Sequence, residues 1–532
     1  MGVTRSRRAF YQPGKDIMKN QFGFCLALSI APFAFASQTP ANFDGPVFGS
    51  IIENKAVYFE SSVELQRRMS AGSLTSVGLV TDLLQRIEVL NKNGPALNAV
   101  IEINPDALQI AAQMDGERSR GEKRGPLHGI PILVKDNLDT GDQMQTTAGA
   151  LSMVGLPAPR DAFVVQRLRD AGAIIIGKAN LSEWAHFRGY EVPSGWSSRG
   201  GQTRHPYDLS ADPLGSSSGS AVGLAAGFSP LAVGTETNGS IIQPAATSGV
   251  IGLRPTLGLL SRTGMIPLSS RQDTPGPMAR TVTDTAILLT AMSGNDPLDE
   301  ATARASTDVV NYVDHLRTDA LSGKRLGYPN HTHDGMPMDD DPEFQKVKSL
   351  LSAAGAILVP VDVPSIDSTS EYLMLLHDFK RELNAYLSTR TGLGVSTLDE
   401  IIAFNTAFPG AQAYDQDLLI DSSSVSVDQE DYLSIATSLR AAHRQLIDGL
   451  LQQHSLDVLI DWSEVSFKAV GAIAGYPGIT VPVGLEENGL PRGLYFLSTA
   501  WDEGALLSYA YALEQALATS AASVHSCISQ AD

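Results

Sequence analysis

The sequence predicts an α/β protein: one large domain in which helices sandwich a central sheet. Short apolar runs of strand length at residues 130–134, 173–176, 231–233 and 357–361 alternate with stretches of helical periodicity. No repeat of 20 to 50 residues points to a solenoid or propeller. A chain of 532 residues, 43% hydrophobic and 18% charged, carries enough apolar surface for one very large core.

The first 36 residues read as an export signal and are set apart from the fold. Lys19 precedes an apolar run from Phe22 to Phe35, and Ala34-Phe35-Ala36 supplies the small-x-small pattern ahead of a cleavage point. The run contains Pro32 and falls short of the roughly 20 apolar residues that span a bilayer, so cleavage is favoured over anchoring. Ser6-Arg7-Arg8-Ala9-Phe10 resembles a twin-arginine signal, while a start at Met18 fits equally well; both lead to a periplasmic or extracellular product. Removing these residues leaves 34 basic and 57 acidic residues, a net charge near −23 that repels nucleic acid. Cys25 falls in the signal and Cys527 in the tail, so the mature chain has no pair of cysteines to join. No later stretch reaches membrane-spanning length without charged or turn residues.

Residues 37–60 form a linker, 61–518 the domain, and 519–532 a C-terminal tail. Thr75 or Ser76 can cap a helix whose Val80, Leu83, Leu84 and Ile87 share one face, and a second helix follows Pro105. Residues 300–345 are turn-rich and acidic, a pattern suited to an insertion or a subdomain hinge. His331-Thr-His333-Asp334 within them lacks a further ligand nearby and reads as a solvated loop, so no metal and no cofactor is expected.

Chemistry concentrates between Leu214 and Ala246, where two Gly/Ser loops each open toward an apolar segment. Small residues let backbone N–H groups approach a ligand closely. A phosphate loop would need a lysine after its last glycine, and neither loop has one. Gly215-Ser216-Ser217-Ser218-Gly219 meets the Gly-x-Ser-x-Gly pattern of a nucleophile elbow, yet the polar, proline-containing residues 205–214 are no buried strand. The remaining reading joins serines of both loops to a lysine from elsewhere.

That combination resembles the amidase signature family. The likeness is carried by Gly129-Ile-Pro-Ile-Leu-Val-Lys135-Asp136-Asn137, by Met144-Gln-Thr-Thr-Ala-Gly149, by the two serine loops, and by Asn180-Leu-Ser-Glu183, Asp273-Thr-Pro-Gly-Pro277 and Ala474-Gly-Tyr-Pro-Gly-Ile-Thr-Val-Pro482. It implies the family's mixed, twisted sheet in an α/β/α sandwich and a Ser–cis-Ser–Lys triad. By motif position the lysine is Lys135, the bridging serine after a cis peptide bond is Ser216, and the acylated nucleophile is Ser240. Backbone N–H groups of Thr237, Asn238 and Gly239 would form the oxyanion hole. A serine needs its proton removed and a lysine accepts one only when neutral, so Lys135 should be enclosed, with a depressed pKa. Thr235, Glu236 and Gln243 are assigned to satisfying loop backbone groups.

Asn238 stands where most members have glycine, and Ile242 where many have arginine. The amidotransferase subunits that act on glutamyl-tRNA resemble the arginine-containing pattern and fit an exported acidic chain poorly. Residues 379–387, 401–405 and 416–419 instead resemble the bacterial peptide-amidase branch, which removes ammonia from C-terminal peptide carboxamides. The expected partner is therefore a small-molecule or peptide amide. Asp461-Trp462 departs from the proline-threonine element of related enzymes and marks a different acyl pocket.

If residues 1–36 are an export signal, the secreted protein begins at Ser37. N-terminal sequencing of exported protein checks this, and retention of Met1 or Met18 would contradict it.

Overall fold

The computed structural model describes residues 56–305, 310–366, 369–463 and 466–528. The expected signal and nearly all of the expected linker lie outside the described residues.

Thirteen strands form among the described residues. In chain order they are β1 (Val100–Ile103), β2 (Pro131–Lys135), β3 (Ile174–Ala179), β4 (Trp196–Ser197), β5 (Gly201–Gln202), β6 (Leu231–Glu236), β7 (Ile251–Arg254) and β8 (Thr274–Ala279). There follow β9 (Arg325–Pro329), β10 (Ile357–Val361), β11 (Val458–Trp462), β12 (Gly478–Leu485) and β13 (Pro491–Leu497). β4 and β5 make a small ribbon, and the other 11 make one sheet in the order β1-β3-β2-β6-β8-β7-β12-β13-β11-β9-β10. β2 runs parallel to β3 and β6, β9 parallel to β10 and β11, and the remaining pairs are antiparallel. The sheet is mixed, as expected.

Side-chain alternation shows that both faces are covered. Along β11, Val458 and Ile460 join the main core while Leu459 joins a second cluster; along β13, Leu494 and Phe496 face the first and Tyr495 and Leu497 the second. Every residue of β2, β3 and β6 is buried, which is why they read as unbroken apolar runs. β10 sits at the edge and leaves Ile357 47% exposed. β8 would not be read as a strand because of Pro275 and Pro277. Its pairing with β7 involves only Met278 and Ala279, so the prolines lie beyond the ladder on that side.

The expected helix runs Ser76–Ile87, with Thr75 Oγ1 accepting from Gly78 N at 3.0 Å and Leu79, Val80, Leu83 and Ile87 buried. The helix after Pro105 is Ala107–Ser119. Two boundaries fall elsewhere. Residues 300–345 are no insertion, since they supply β9 to the sheet. A helical lobe within the same domain is built from Thr369–Ser388, Leu398–Ala407, Asp417–Ser424 and Gln429–His454. Its core, including Phe379, Leu383, Ile401, Leu419 and Tyr432, packs on Trp184 and Phe187. The last helix, Glu503–Ile528, runs across the expected start of the tail at residue 519. Among the described residues no helix is long and apolar enough to cross a membrane.

The helix Ser218–Ala225 is seated so tightly that a Cβ at Gly219 would lie 2.3 Å from Ala99 O, 2.4 Å from Asn180 O and 2.5 Å from Asn180 N. These are backbone atoms just before β1 and just after β3 and cannot rotate away. Gly219→Ala is expected to cost about 1–3 kcal/mol, read as a lower urea midpoint at unchanged slope.

Candidate active site

Lys135 ends β2 and is fully buried. Its Nζ lies 2.9 Å from Ser216 Oγ, 2.9 Å from Ser217 Oγ, 3.0 Å from Thr235 Oγ1 and 3.1 Å from the Thr235 carbonyl oxygen. No carboxylate among the described residues forms an ion pair with it. Burial disfavours the ammonium form and pulls the Lys135 pKa down to about 7, against the more distant pull of Asp273 and Glu236. Parallel pairing of β2 with β6, Val134 opposite Val233, brings lysine and threonine to the same strand ends.

The two serines near Nζ differ in what their protons do. Ser217 Oγ donates to the Thr235 carbonyl at 3.0 Å and accepts from Thr235 N at 3.2 Å, so its one proton is committed to holding the loop against β6. Ser216 Oγ has Lys135 as its hydrogen-bond partner, and the peptide bond between Gly215 and Ser216 is cis. Sequence reasoning gave Ser217 no part beside Lys135. Asn137 was likewise passed over, although it lies in the lysine motif; its Nδ2 donates to Thr235 Oγ1 at 2.9 Å and fixes that hydroxyl.

Ser240 lies in the loop between β6 and the helix Ile242–Thr247, and is 7% exposed. Its carbonyl accepts from Ser217 N at 3.0 Å, which docks the two serine loops on each other. Among the described residues no hydrogen bond joins Ser216 Oγ to Ser240 Oγ; such links commonly tighten only when substrate is present.

Glu236 shapes the loop. Its Oε2 accepts from Ile241 N at 2.8 Å and Ile242 N at 3.1 Å, and Arg254 Nη1 lies 3.5 Å from Oε1. This takes up the N–H groups after Ser240 and leaves those of the expected donors Thr237, Asn238 and Gly239, and that of Ser240 itself, without a protein acceptor among the described residues. Gly239 has φ +79°, a conformation that suits glycine, and a Cβ there would meet Gln243 Oε1 at 3.0 Å and Lys468 Cδ at 3.2 Å. Thr237 Oγ1 donates to Asp273 Oδ1 at 2.5 Å, and Leu268 N and Ser269 N hold the other Asp273 oxygen at 2.7 and 2.9 Å. Burial raises the Asp273 carboxyl above its usual range. The result is a run of backbone donors beside a serine, an arrangement suited to negative charge on an acyl oxygen.

The motif residues Asn180 and Glu183 brace the site from behind. Asn180 Nδ2 donates to Asn98 O and Gly201 O at 3.1 Å each, while its carbonyl accepts from Gly219 N at 3.0 Å. Glu183 pairs with the buried Arg188 and accepts from Ser198 N at 2.6 Å. His205, the histidine nearest the elbow-like pattern in sequence, bonds Thr247 O at 2.9 Å and not a serine.

Residues 78–461 match the family model for Amidase. The chain belongs to the amidase signature family. It is similar to the native peptide amidase of Stenotrophomonas maltophilia: 44% identity, TM-score 0.81, covering 86% of this chain and 96% of that one. An amidase family protein of Bacillus anthracis is 38% identical with a TM-score of 0.82, covering 86% and 91% of the two chains. A probable amidase of Arabidopsis thaliana is 40% identical over 456 residues, 83% of this chain and 87% of the plant protein. The protein is thus an amidase, a hydrolase with the family's large mixed sheet.

Glu236→Ala removes the acceptor of two N–H groups and leaves buried Arg254 without its carboxylate. A loss of about 3–5 kcal/mol in unfolding free energy is expected by denaturant titration, and Glu236→Gln, which keeps one acceptor, should lose less.

Proposed function

We propose that this amidase hydrolyses unsubstituted carboxamides, C-terminal peptide amides foremost, with Ser240 as nucleophile, Ser216 as proton bridge and Lys135 as base. The single observation that carries the reading is the amine of Lys135, buried, drawn down to about 7, and 2.9 Å from Ser216 Oγ. At neutral pH a substantial fraction of that amine is unprotonated and can accept a proton.

In the forward step Ser240 Oγ attacks the amide carbonyl carbon, its proton passing to Ser216 Oγ as the Ser216 proton passes to Lys135 Nζ. The carbonyl oxygen becomes an oxyanion facing the N–H groups of the loop 237–240. Collapse breaks the C–N bond, and the proton returns through Ser216 to the leaving nitrogen, which departs as ammonia. Water repeats the sequence on the ester formed at Ser240, releasing the carboxylic acid and restoring the serine. Preference for peptide amides is supported by the 44% identity to a peptide amidase over almost the whole of that chain.

Ser240→Ala should abolish labelling by a fluorophosphonate, with peptide mapping of the unsubstituted protein placing the adduct on Ser240. Lys135→Ala and Ser216→Ala should each lower kcat by about 10² to 10⁴-fold while slow labelling persists. Because the base is the neutral amine, kcat/KM should be level above about pH 7 and fall about tenfold per unit below it. Ammonia release from peptide carboxamides should be unaffected by a chelator. An adduct on Ser217, or full activity in Lys135→Ala, would overturn the assignment.

A further inference from the structure

The residue between Thr237 and Gly239 is tied to the helical lobe. Asn238 Nδ2 donates to Glu371 Oε1 at 2.9 Å, and Gln272 Nε2 donates to the same oxygen at 2.8 Å. Glu371 lies in the first turn of Thr369–Ser388, 133 residues from Asn238 in sequence. Gln272 is 1% exposed and adjoins Asp273, the residue that holds Thr237 Oγ1. Its carbonyl accepts from Arg254 Nη2 at 2.6 Å, and Arg254 Nη1 donates to Glu236 O at 3.0 Å. The loop 237–240 is therefore gripped from the sheet through Asp273 and Arg254, and from the lobe through Glu371 alone among these contacts. A glycine at this position would have no side chain to make the link.

We propose that Glu371 is a positioning residue for the oxyanion loop, acting through the Asn238 side chain to fix the direction of the backbone N–H groups of residues 238–240. This rests on the reading of that loop given under Proposed function. A hydrogen bond to a carboxylate is stronger than one between neutral groups, and the bond to Glu371 restrains the Asn238 side chain. An N–H group preorganised toward the oxyanion costs no reorganisation in the transition state; a loose one does. The contribution is thus expected in kcat and not in ground-state binding.

Glu371→Ala should lower kcat about tenfold with KM within about twofold, and lower the melting temperature only modestly, by the lost acceptor of the buried Gln272 amide. Asn238→Gly should lower kcat by a similar factor, and the double variant should fall no further, because both break one link. A volume-preserving pair guards against misfolding. Asn238→Asp alone sets two carboxylates against each other and should lose activity, and adding Glu371→Gln, which supplies a donor, should restore it. Multiplicative losses in the first double variant, a change confined to KM, unchanged kinetics in Glu371→Ala, or no restoration in the second pair would overturn the proposal. Failure of the underlying reading shows separately, as a fluorophosphonate adduct missing from Ser240 of the unsubstituted enzyme.

Discussion

Enclosing one amine without a carboxylate beside it imposes conditions on everything around Lys135. An ammonium taken out of water is costly, and a carboxylate partner would remove the cost by holding the proton in place. Here the amine is met by hydroxyls and a carbonyl only, so it keeps hydrogen bonds in either protonation state while the neutral form gains. That arrangement needs a strand covered on both faces to carry the lysine inward, and a neighbouring strand in parallel register to bring Thr235 to it. It also needs a serine loop pressed against both. The depth of the sheet, the small residues from Ser216 to Gly219 and the bracing by Asn180 serve that one placement.

The surrounding charges are arranged at one remove. Glu236 and Asp273 favour the lysine's charged form through space, yet each is occupied otherwise, Glu236 with two backbone N–H groups and Arg254, Asp273 with Thr237 and two backbone N–H groups. Their hydrogen bonds wind the loop that carries Ser240. The same carboxylates thus shape the anion cradle and temper the depression of the amine's pKa.

Much of this was legible in the sequence because it rests on local patterns. Apolar runs at residues 130–134 and 231–233 announce strands that are buried on both faces, and glycine and serine spacing announces loops that backbone donors line. The cis bond before Ser216 was available only by resemblance. What composition and spacing did not carry are contacts between distant segments. Ser217 and Ser216 are indistinguishable as letters and differ only in whether their protons are already committed. Residues 300–345 suited an insertion or a hinge because β9 is short and flanked by turns, and the helical lobe gave no sign of itself because its helices show ordinary amphipathic spacing. Glu371 carried no signal at all, being one acidic residue on a half-exposed helix.

The β2–β6 pairing has a consequence for the protein's history within the cell. Lys135 and Thr235 are 100 residues apart and meet only when two parallel strands have joined in one register. A slip of one residue would turn Lys135 to the opposite face of the sheet, and no shorter fragment contains both partners. Parallel pairings across such separations form late, after the loops between them have closed. Under the proposed roles, a nascent or misregistered chain is therefore chemically inert, and hydrolytic competence itself serves as the certificate that assembly is complete.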